Sequence, residues 1–386
     1  MKDPTTSLAA LLKGASVLVT CGAGGVGKTT VAAALGVAAV RSGRSRVLVV
    51  TVDPARRLAT ALGLEDGIGN EPRLVAASVL AAAGIEVPGE LWVAMVDMKQ
   101  SWDDLVRRHA PDDKTALAIL ANPLYRTLTG SFTQSHDYIA AERLHELTTA
   151  GFFDLIVVDT PPSRSALDFL DAPSRMADFF ASRLLRWLIA PYRNRFVNLA
   201  SKPFTAVADR LLGAEFLSDI AEFFILFQSM YDGFVARALA VERTMAAEST
   251  RFVLVTTLDA LPCREARAFA SDLRRRRLPL AALVMNRVLP ESMRSAEGLE
   301  AAKQILADPI AAASRSAGDR QAVASVLARL GQSYLDYHDL AVREQALAAT
   351  LAELAPEVLT ALRLGSGVSD LGAVVALALQ LQGERR

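Results

Sequence analysis

The chain has 386 residues, 52% of them hydrophobic, enough to bury one large core or the cores of two domains. Lys and Arg total 42, as do Asp and Glu, so no net charge favours nucleic acid as a partner. Two cysteines, Cys21 and Cys263, are too few for a disulfide framework. No signal-peptide pattern and no apolar run of about 18 residues is present, which predicts a cytoplasmic protein without a transmembrane segment.

Apolar segments rich in β-branched residues recur along the chain, and helical patterns follow them. In chain order the predicted strands are SVLVT, RVLVVTVD, DLIVVDT, RFVLVTT and AALVMNRV, with a weaker candidate near residues 359–362. Strands that are apolar throughout are typical of a parallel sheet covered by helices on both faces. We therefore predict an α/β fold with a doubly wound, mostly parallel sheet.

One segment interrupts this alternation, because residues 172–249 show only amphipathic helical patterns. Nine of the fifteen phenylalanines lie there. An apolar stripe at helical spacing consists of Phe216, Ile220, Phe223, Phe227, Met230 and Phe234. The pattern predicts an all-helical subdomain at 172–249, inserted into a sheet domain formed by residues 1–171 and 250–386. The stripe fits two roles, a buried core or a groove for a hydrophobic partner.

The segment GAGGVGKT, residues 22–29, matches the phosphate-binding pattern G-x-x-x-x-G-K-[ST]. It lies between a predicted strand and a predicted helix, which is the context that the pattern requires. Glycines let the backbone approach phosphates closely, and the helix N-terminus adds its positive end. The predicted backbone of this site comprises Gly22, Gly24, Gly25, Val26 and Gly27.

Three side chains complete the predicted nucleotide site. We expect Lys28 to reach the β- and γ-phosphates, Thr29 to ligate Mg²⁺ directly, and Thr30 to lie near the α-phosphate. These assignments predict ATP and Mg²⁺ as ligands and hydrolysis of the nucleotide as the reaction.

Two aspartates follow predicted strands, and the carboxyl ends of parallel strands are where ligands bind in such sheets. Asp159, at the end of the third predicted strand, suits Mg²⁺ bound through water. Asp53 is then free to orient or activate the attacking water. Because Asp53 precedes Pro54, it also fits the N-cap of the next helix, and both roles stay open.

The segments GAGGVGKTT, DPARRLATALG, DTPPSRSALDFLDAP and LVMNRV resemble the arsenite-efflux ATPase family (ArsA). That family includes the ATPase of guided entry of tail-anchored proteins, and the resemblance covers most of the chain. It implies that Asp53 belongs to a first switch and Asp159 to a second, and that Asn286 recognises adenine. It also implies a dimer with nucleotides at its interface, in which ATP brings the helical subdomains together as a hydrophobic client surface.

The chain departs from that family in three ways. It lacks a C-x-x-C zinc clamp and contains a single ATPase half. Its two cysteines lie far apart in sequence, whereas arsenite needs clustered thiolates, so arsenite efflux is not expected. Finally, Ala23 stands where the family's GKGGVGK carries a lysine that reaches the partner's phosphates.

The absence of that lysine leaves three arrangements open. We hypothesise a heterodimer with a paralogue that retains it. The alternatives are a homodimer with a substitute basic residue and a weakly active homodimer. Arg56 and Arg57 are candidates for the substitute, and they also fit first-turn helix residues that face solvent. Two function classes follow: an ATP-driven switch that binds a hydrophobic client, and a regulatory subunit that hydrolyses little ATP alone.

A basic run and a pair of histidines are interpreted as structural features and not as binding sites. The basic run at 274–277 is typical of a solvated helix end rather than a nucleic-acid patch. His136 and His145, nine residues apart, do not share a helix face and predict no metal site.

Overall fold

The computed structural model of the chain describes residues 4–52, 57–64, 68–125, 133–160, 222–227, 230–315, 319–365 and 370–384, together with residues 178 and 220. Asp53, Arg56 and most of the predicted helical subdomain therefore lie outside the described residues.

Within the described residues, eight strands form one sheet. They are β1 Val17–Cys21, β2 Arg46–Thr51, β3 Arg73–Leu74, β4 Glu90–Met95, β5 Leu155–Asp159, β6 Thr250–Thr256, β7 Leu280–Val288 and β8 Glu357–Leu362. Their order across the sheet is β3-β4-β2-β5-β1-β6-β7-β8, and all neighbours pair in parallel except the two-residue β3. The predicted mostly parallel α/β sheet is confirmed, and β1 lies in its interior.

Thirteen helices are defined within the described ranges. They are α1 Pro4–Leu12, α2 Lys28–Arg41, α3 Arg57–Ala61, α4 Ala77–Ala82, α5 Met98–His109, α6 Asp113–Ala121, α7 Thr133–Thr149, α8 Tyr231–Ala246, α9 Ala260–Arg275, α10 Ala296–Ala307, α11 Pro309–Ala312, α12 Arg320–Leu351 and α13 Leu371–Leu381. Residues 222–227 are also helical. None of these helices combines the length and the apolar composition needed to cross a bilayer.

The sheet is buried on both faces because alternate strand residues point to opposite sides. Leu18 of β1 packs with α1, α2 and α13 in a first hydrophobic cluster. Val17 and Val19 pack with α7, α8 and α9 in a second cluster on the other face. This two-sided burial accounts for the uniformly apolar strands.

Two strands of the sheet, β3 and β4, were missing from the sequence-based assignment. Strand β3 has only two residues, and both are exposed. The burial of β4 is uneven, and it lies next to this short edge strand, so its sequence ELWVAM lacks the uniform apolar character of the inner strands. As a consequence Asp159 ends the fifth strand along the chain and not the third.

A third hydrophobic cluster joins α5, α6 and α7 to Phe223, Phe224, Phe227 and Met230. Within it Phe223, Phe227 and Met230 are each only 2% exposed, so these members of the predicted stripe are core residues. Phe216 and the side chain of Phe234 lie outside the described residues. Within 172–249 the described residues 222–227 and 231–246 are helical, and the helical subdomain with its boundaries stays a prediction.

Candidate functional site

The predicted phosphate loop connects β1 to α2 and depends on two glycines. Gly22 has φ +142° and passes so close to β6 that a Cβ atom there would collide with the Val255 carbonyl oxygen. Gly27, the N-cap of α2, has φ +93°, and a Cβ atom there would collide with Asn286 Nδ2. Both positions therefore require glycine, for backbone conformation and for space.

Replacing Gly22 by alanine is expected to lower the free energy of unfolding by about 2–5 kcal/mol, because backbone strain adds to an unrelieved clash. Gly25 is the matched control, since its φ is also positive (+79°) but nothing lies within 4 Å of a built Cβ. Gly25→Ala should cost only about 1–2 kcal/mol. Urea unfolding of both variants measures the difference. Equal costs would contradict the close packing of Gly22.

Lys28 is the first residue of α2, and its side chain folds back into the loop. Its Nζ donates to the carbonyl oxygens of Gly22 (3.0 Å) and Ala23 (2.9 Å), and the residue is only 6% exposed. The ammonium group is thus held by two carbonyl oxygens of the loop backbone. Such an arrangement can bind an anion that replaces these carbonyls as the partner of the ammonium group.

The rest of the loop leaves room for a ligand. Gly24 and Gly25 are exposed, Val26 is buried, and Thr29 and Thr30 are half-buried in the first turn of α2. Both threonine hydroxyls therefore lie in the helical turn whose backbone N–H groups have no hydrogen-bond acceptor within the helix. A phosphate-sized anion at this helix end would meet backbone donors and the positive end of the dipole.

Asp159 is the last residue of β5 and is fully buried. It lies opposite Thr20 of β1 and Thr51 of β2 in the parallel register. Its Oδ2 accepts a hydrogen bond from Thr51 Oγ1 at 2.9 Å. Beside it, Thr160 Oγ1 donates to the Thr20 carbonyl oxygen at 2.7 Å. The carboxylate is therefore held at the carboxyl edge, one strand away from the strand that carries the loop.

Sequence reasoning did not include Thr51. A hydroxyl residue that ends an apolar strand, two positions before an aspartate, was the available signal. Its partner could be identified only from the register of β2 against β5, which brings residues 108 positions apart into contact.

Asn286 of β7 connects the other side of the sheet to the loop. Its Nδ2 donates to the Val26 carbonyl oxygen at 2.8 Å, and its Oδ1 accepts from the Arg287 backbone N–H at 2.9 Å. The residue is buried. Adenine recognition is what the resemblance implies for Asn286, whereas the bonds present here hold the loop backbone to β7.

The positions linked to the missing lysine are only partly described. Ala23 is half-buried and packs against the first cluster, whereas a lysine that reaches a partner's phosphates would have to extend away from the chain. The small methyl group can turn inward at no cost in solvation. A lysine side chain could not do so, because its charge would then be buried. Arg57 begins α3, and its side chain lies outside the described residues, as do Asp53 and Arg56.

The two cysteines are buried and free. Burial raises the pKa of the Cys21 thiol well above its usual range and also raises the pKa of Cys263. Both thiols are therefore protonated at neutral pH, which disfavours a soft-metal or arsenite site. Within the described ranges no group of three His, Cys, Asp or Glu residues is arranged to hold a metal ion. Residues 274–277 are exposed at the end of α9, as expected.

Comparison with known proteins finds one family model and several relatives that are similar to this chain. Residues 15–312 match the model of the family described as anion-transporting ATPase (ArsA ATPase). An uncharacterized protein of Streptomyces coelicolor is 30% identical over 282 residues, which are 71% of this chain and 63% of the relative. A protein of Chlorobaculum tepidum named "Putative arsenical pump-driving ATPase" is 26% identical over 201 residues, or 50% of this chain and 43% of the relative.

A protein of Aquifex aeolicus named "Putative arsenical pump-driving ATPase 2" is 26% identical over 293 residues, which are 74% of this chain and 83% of the relative. The chain thus spans less than two thirds of the length of the Streptomyces and Chlorobaculum relatives. The family match extends over the phosphate loop, Asp159 and Asn286 alike. Together with the parallel sheet and the loop geometry, it establishes that this chain belongs to the anion-transporting ATPase (ArsA) family.

Proposed function

We propose that the chain binds ATP with Mg²⁺ at the loop of residues 22–30, hydrolyses it, and couples the nucleotide state to binding of a hydrophobic client or protein partner. The observation that carries this proposal is the placement of three groups at one sheet edge. The Lys28 ammonium donates to two carbonyl oxygens of the loop, the Asp159 carboxylate lies at the end of the strand next to β1, and α2 begins at Lys28.

The residues fit these ligands. Gly24 and Gly25 are exposed in the loop, and nothing lies within 4 Å of a Cβ atom built at Gly25, so a ligand can approach the loop backbone there. Thr29 hydroxyl and Asp159 carboxylate are hard oxygen donors, which Mg²⁺ prefers, directly and through water respectively. Bound Mg²⁺ would neutralise charge on the phosphates. Lys28 would bind the β- and γ-phosphates, and Thr30 would contact the α-phosphate.

For Asp53 we propose the role of positioning the attacking water as a general base. The carboxylate would accept a proton from the water as its oxygen attacks the γ-phosphorus and the bond to the leaving ADP oxygen breaks. The chain direction supports this, since Asp53 follows β2 by two residues and β2 pairs with the strand of Asp159.

Coupling to a client is supported by the path between the site and the third cluster. Helix α7 contributes Tyr138 and Ile139 to that cluster and continues toward β5, which ends at Asp159. An ion pair between Arg237 Nε of α8 and Glu142 Oε1 of α7, at 3.0 Å, joins the two helices that precede β5 and β6. A change at the strand ends can therefore reach the helical region through packed elements.

The client itself is proposed as hydrophobic, and the working form as a cytoplasmic dimer, by analogy with the family. Arsenical transport, which the names of two relatives suggest for those proteins, is not extended to this chain because both thiols are buried and protonated.

If nucleotide controls the helical region, binding of a hydrophobic dye should differ between the apo, ADP and non-hydrolysable ATP states, because apolar surface is covered or uncovered. Fluorescence of the dye measures this, with Lys28→Ala as the control that should not respond to nucleotide. Identical dye binding in all three states of the wild type would contradict the coupling.

A second function is favoured by Ala23. A regulatory or complex-forming subunit would bind ATP yet hydrolyse little alone, and a paralogue that carries the lysine would complete its site. The ATP hydrolysis rate of the pure chain is compared with the rate of the chain in complex with its partner. A rate that rises with the partner would distinguish this function from that of a switch that hydrolyses ATP alone.

A further inference from the structure

The end of β7 contains an irregularity beside the candidate site. From Met285 to Val288 the strand advances three residues while its neighbour β8 advances two, from Thr360 to Leu362. The extra residue of such a bulge is turned out of the ladder, and bulges near active sites redirect side chains. Arg287 occupies this position with φ +60°, a left-handed conformation that is uncommon for a residue other than glycine.

The backbone on both sides of Arg287 is fixed. The Arg287 N–H donates to Asn286 Oδ1 at 2.9 Å, and the Leu289 N–H donates to the buried Glu344 Oε2 at 2.8 Å. The Val288 carbonyl oxygen accepts from the Arg363 N–H at 2.9 Å. Three bonds thus hold an uncommon conformation, as is typical of positions whose geometry serves a function.

The side chain, in contrast, has no partner among the residues that the structure describes. Arg287 is exposed, and its guanidinium makes no hydrogen bond or ion pair with any other residue that the structure describes. A fixed backbone with an unengaged cation is suited to contact a ligand.

The direction of a bound nucleotide follows from the strand order. Asp159 on β5, with β2 beyond it, lies on one side of β1, so the γ-phosphate and metal belong there. The nucleoside must then extend over β6 and β7, on the other side. Arg287 lies at the carboxyl end of β7, two strand spacings or about 10 Å from β1. Its neighbour Asn286 touches the loop, so the nucleoside end lies beside Arg287.

We infer that the Arg287 guanidinium stacks on the face of the nucleobase of bound ATP, which makes Arg287 a base-binding residue. The inference rests on the proposed nucleotide site. A guanidinium is planar and stacks on aromatic rings, and it does so without reading which purine is bound. Arg287 therefore supplies affinity for the base, while discrimination between bases belongs to other groups.

Arg287→Gly tests the inference, because glycine keeps the left-handed backbone and removes the side chain. Titration with ATP and, separately, with inorganic tripolyphosphate, both with Mg²⁺, measures two affinities. We expect the ATP dissociation constant to rise about 5- to 30-fold, the range of a cation–π contact, while that of tripolyphosphate is unchanged. Arg287→Lys, which keeps the charge but not the plane, should recover only part of the loss.

Arg277→Gly is the matched control. Arg277 is an exposed arginine with φ +57° at the end of α9, before β7 begins at the opposite edge of the sheet. It should leave both affinities unchanged. Wild-type ATP affinity in Arg287→Gly, equal weakening of both ligands, or full recovery in Arg287→Lys would overturn the base stacking alone. Failure of the wild type to bind either ligand would overturn the nucleotide site as well.

Discussion

Ala23→Lys is expected to raise ATP hydrolysis by the pure chain about 10³-fold, the scale of a cation supplied across an interface to a transferring phosphoryl group. The wild-type chain retains Lys28 for its own nucleotide, so binding should change little. What the substitution adds is positive charge directed at the nucleotide of a second subunit. Steady-state hydrolysis of the two proteins at equal concentration measures the effect.

Ala23→Met is the control, because methionine has a similar length without the charge. Either substitution removes the Ala23 methyl group from the first cluster, which lowers stability. The unfolding temperatures of both variants measure this loss of stability. Fast hydrolysis by the wild type, unaffected by Ala23→Lys, would contradict the requirement for a second subunit's cation.

A mixing experiment separates action across the interface from action within one chain. The double variant Ala23→Lys, Lys28→Ala carries the added lysine but has lost its own nucleotide lysine. Mixed with wild-type chain, it should raise the hydrolysis rate, since its lysine can complete the wild-type site. No increase over the wild type alone would contradict an action between subunits.

Lys28→Ala is expected to weaken ATP binding by about 10²-fold or more and to leave no measurable turnover, because a charge-assisted hydrogen bond from a nearly buried lysine to phosphate is lost. Titration with ATP and a phosphate-release assay measure the two effects. Asp53→Asn is the contrasting variant. It should bind ATP normally and lose about 10²-fold in turnover, the contribution of one positioned base. Equal ATP affinity and equal turnover in Lys28→Ala would contradict the assignment of the loop.

The elements that local sequence determines were predictable. An apolar strand, the glycine-rich pattern and an alanine-rich helix lie within residues 17–41, and the structure contains β1, the loop and α2 there. Asp159 could be placed at the sheet edge because an apolar strand precedes it. The parallel character of the sheet followed from strands that are apolar on both faces.

Contacts between distant segments were not predictable in the same way. The bond from Asn286 to Val26 joins residues 260 positions apart, and no local pattern indicates it. The bulge at Arg287 depends on the register of β7 against β8. Likewise, Phe223 and Phe227 share a core with α5, α6 and α7, which sequence reasoning had assigned to a different domain. Such features follow from tertiary packing rather than from propensity.

The central claim is that this folded chain binds ATP at the loop that Lys28 closes. Equilibrium titration of the purified wild-type chain with ATP, in Mg²⁺ and again in a chelator, tests it most directly. We predict saturable binding of one ATP per chain, weaker without Mg²⁺ and weaker again in Lys28→Ala. Absence of saturable ATP binding by the folded wild-type chain at ATP concentrations of about 1 mM, the upper end of the usual range for enzyme substrates, would contradict the account.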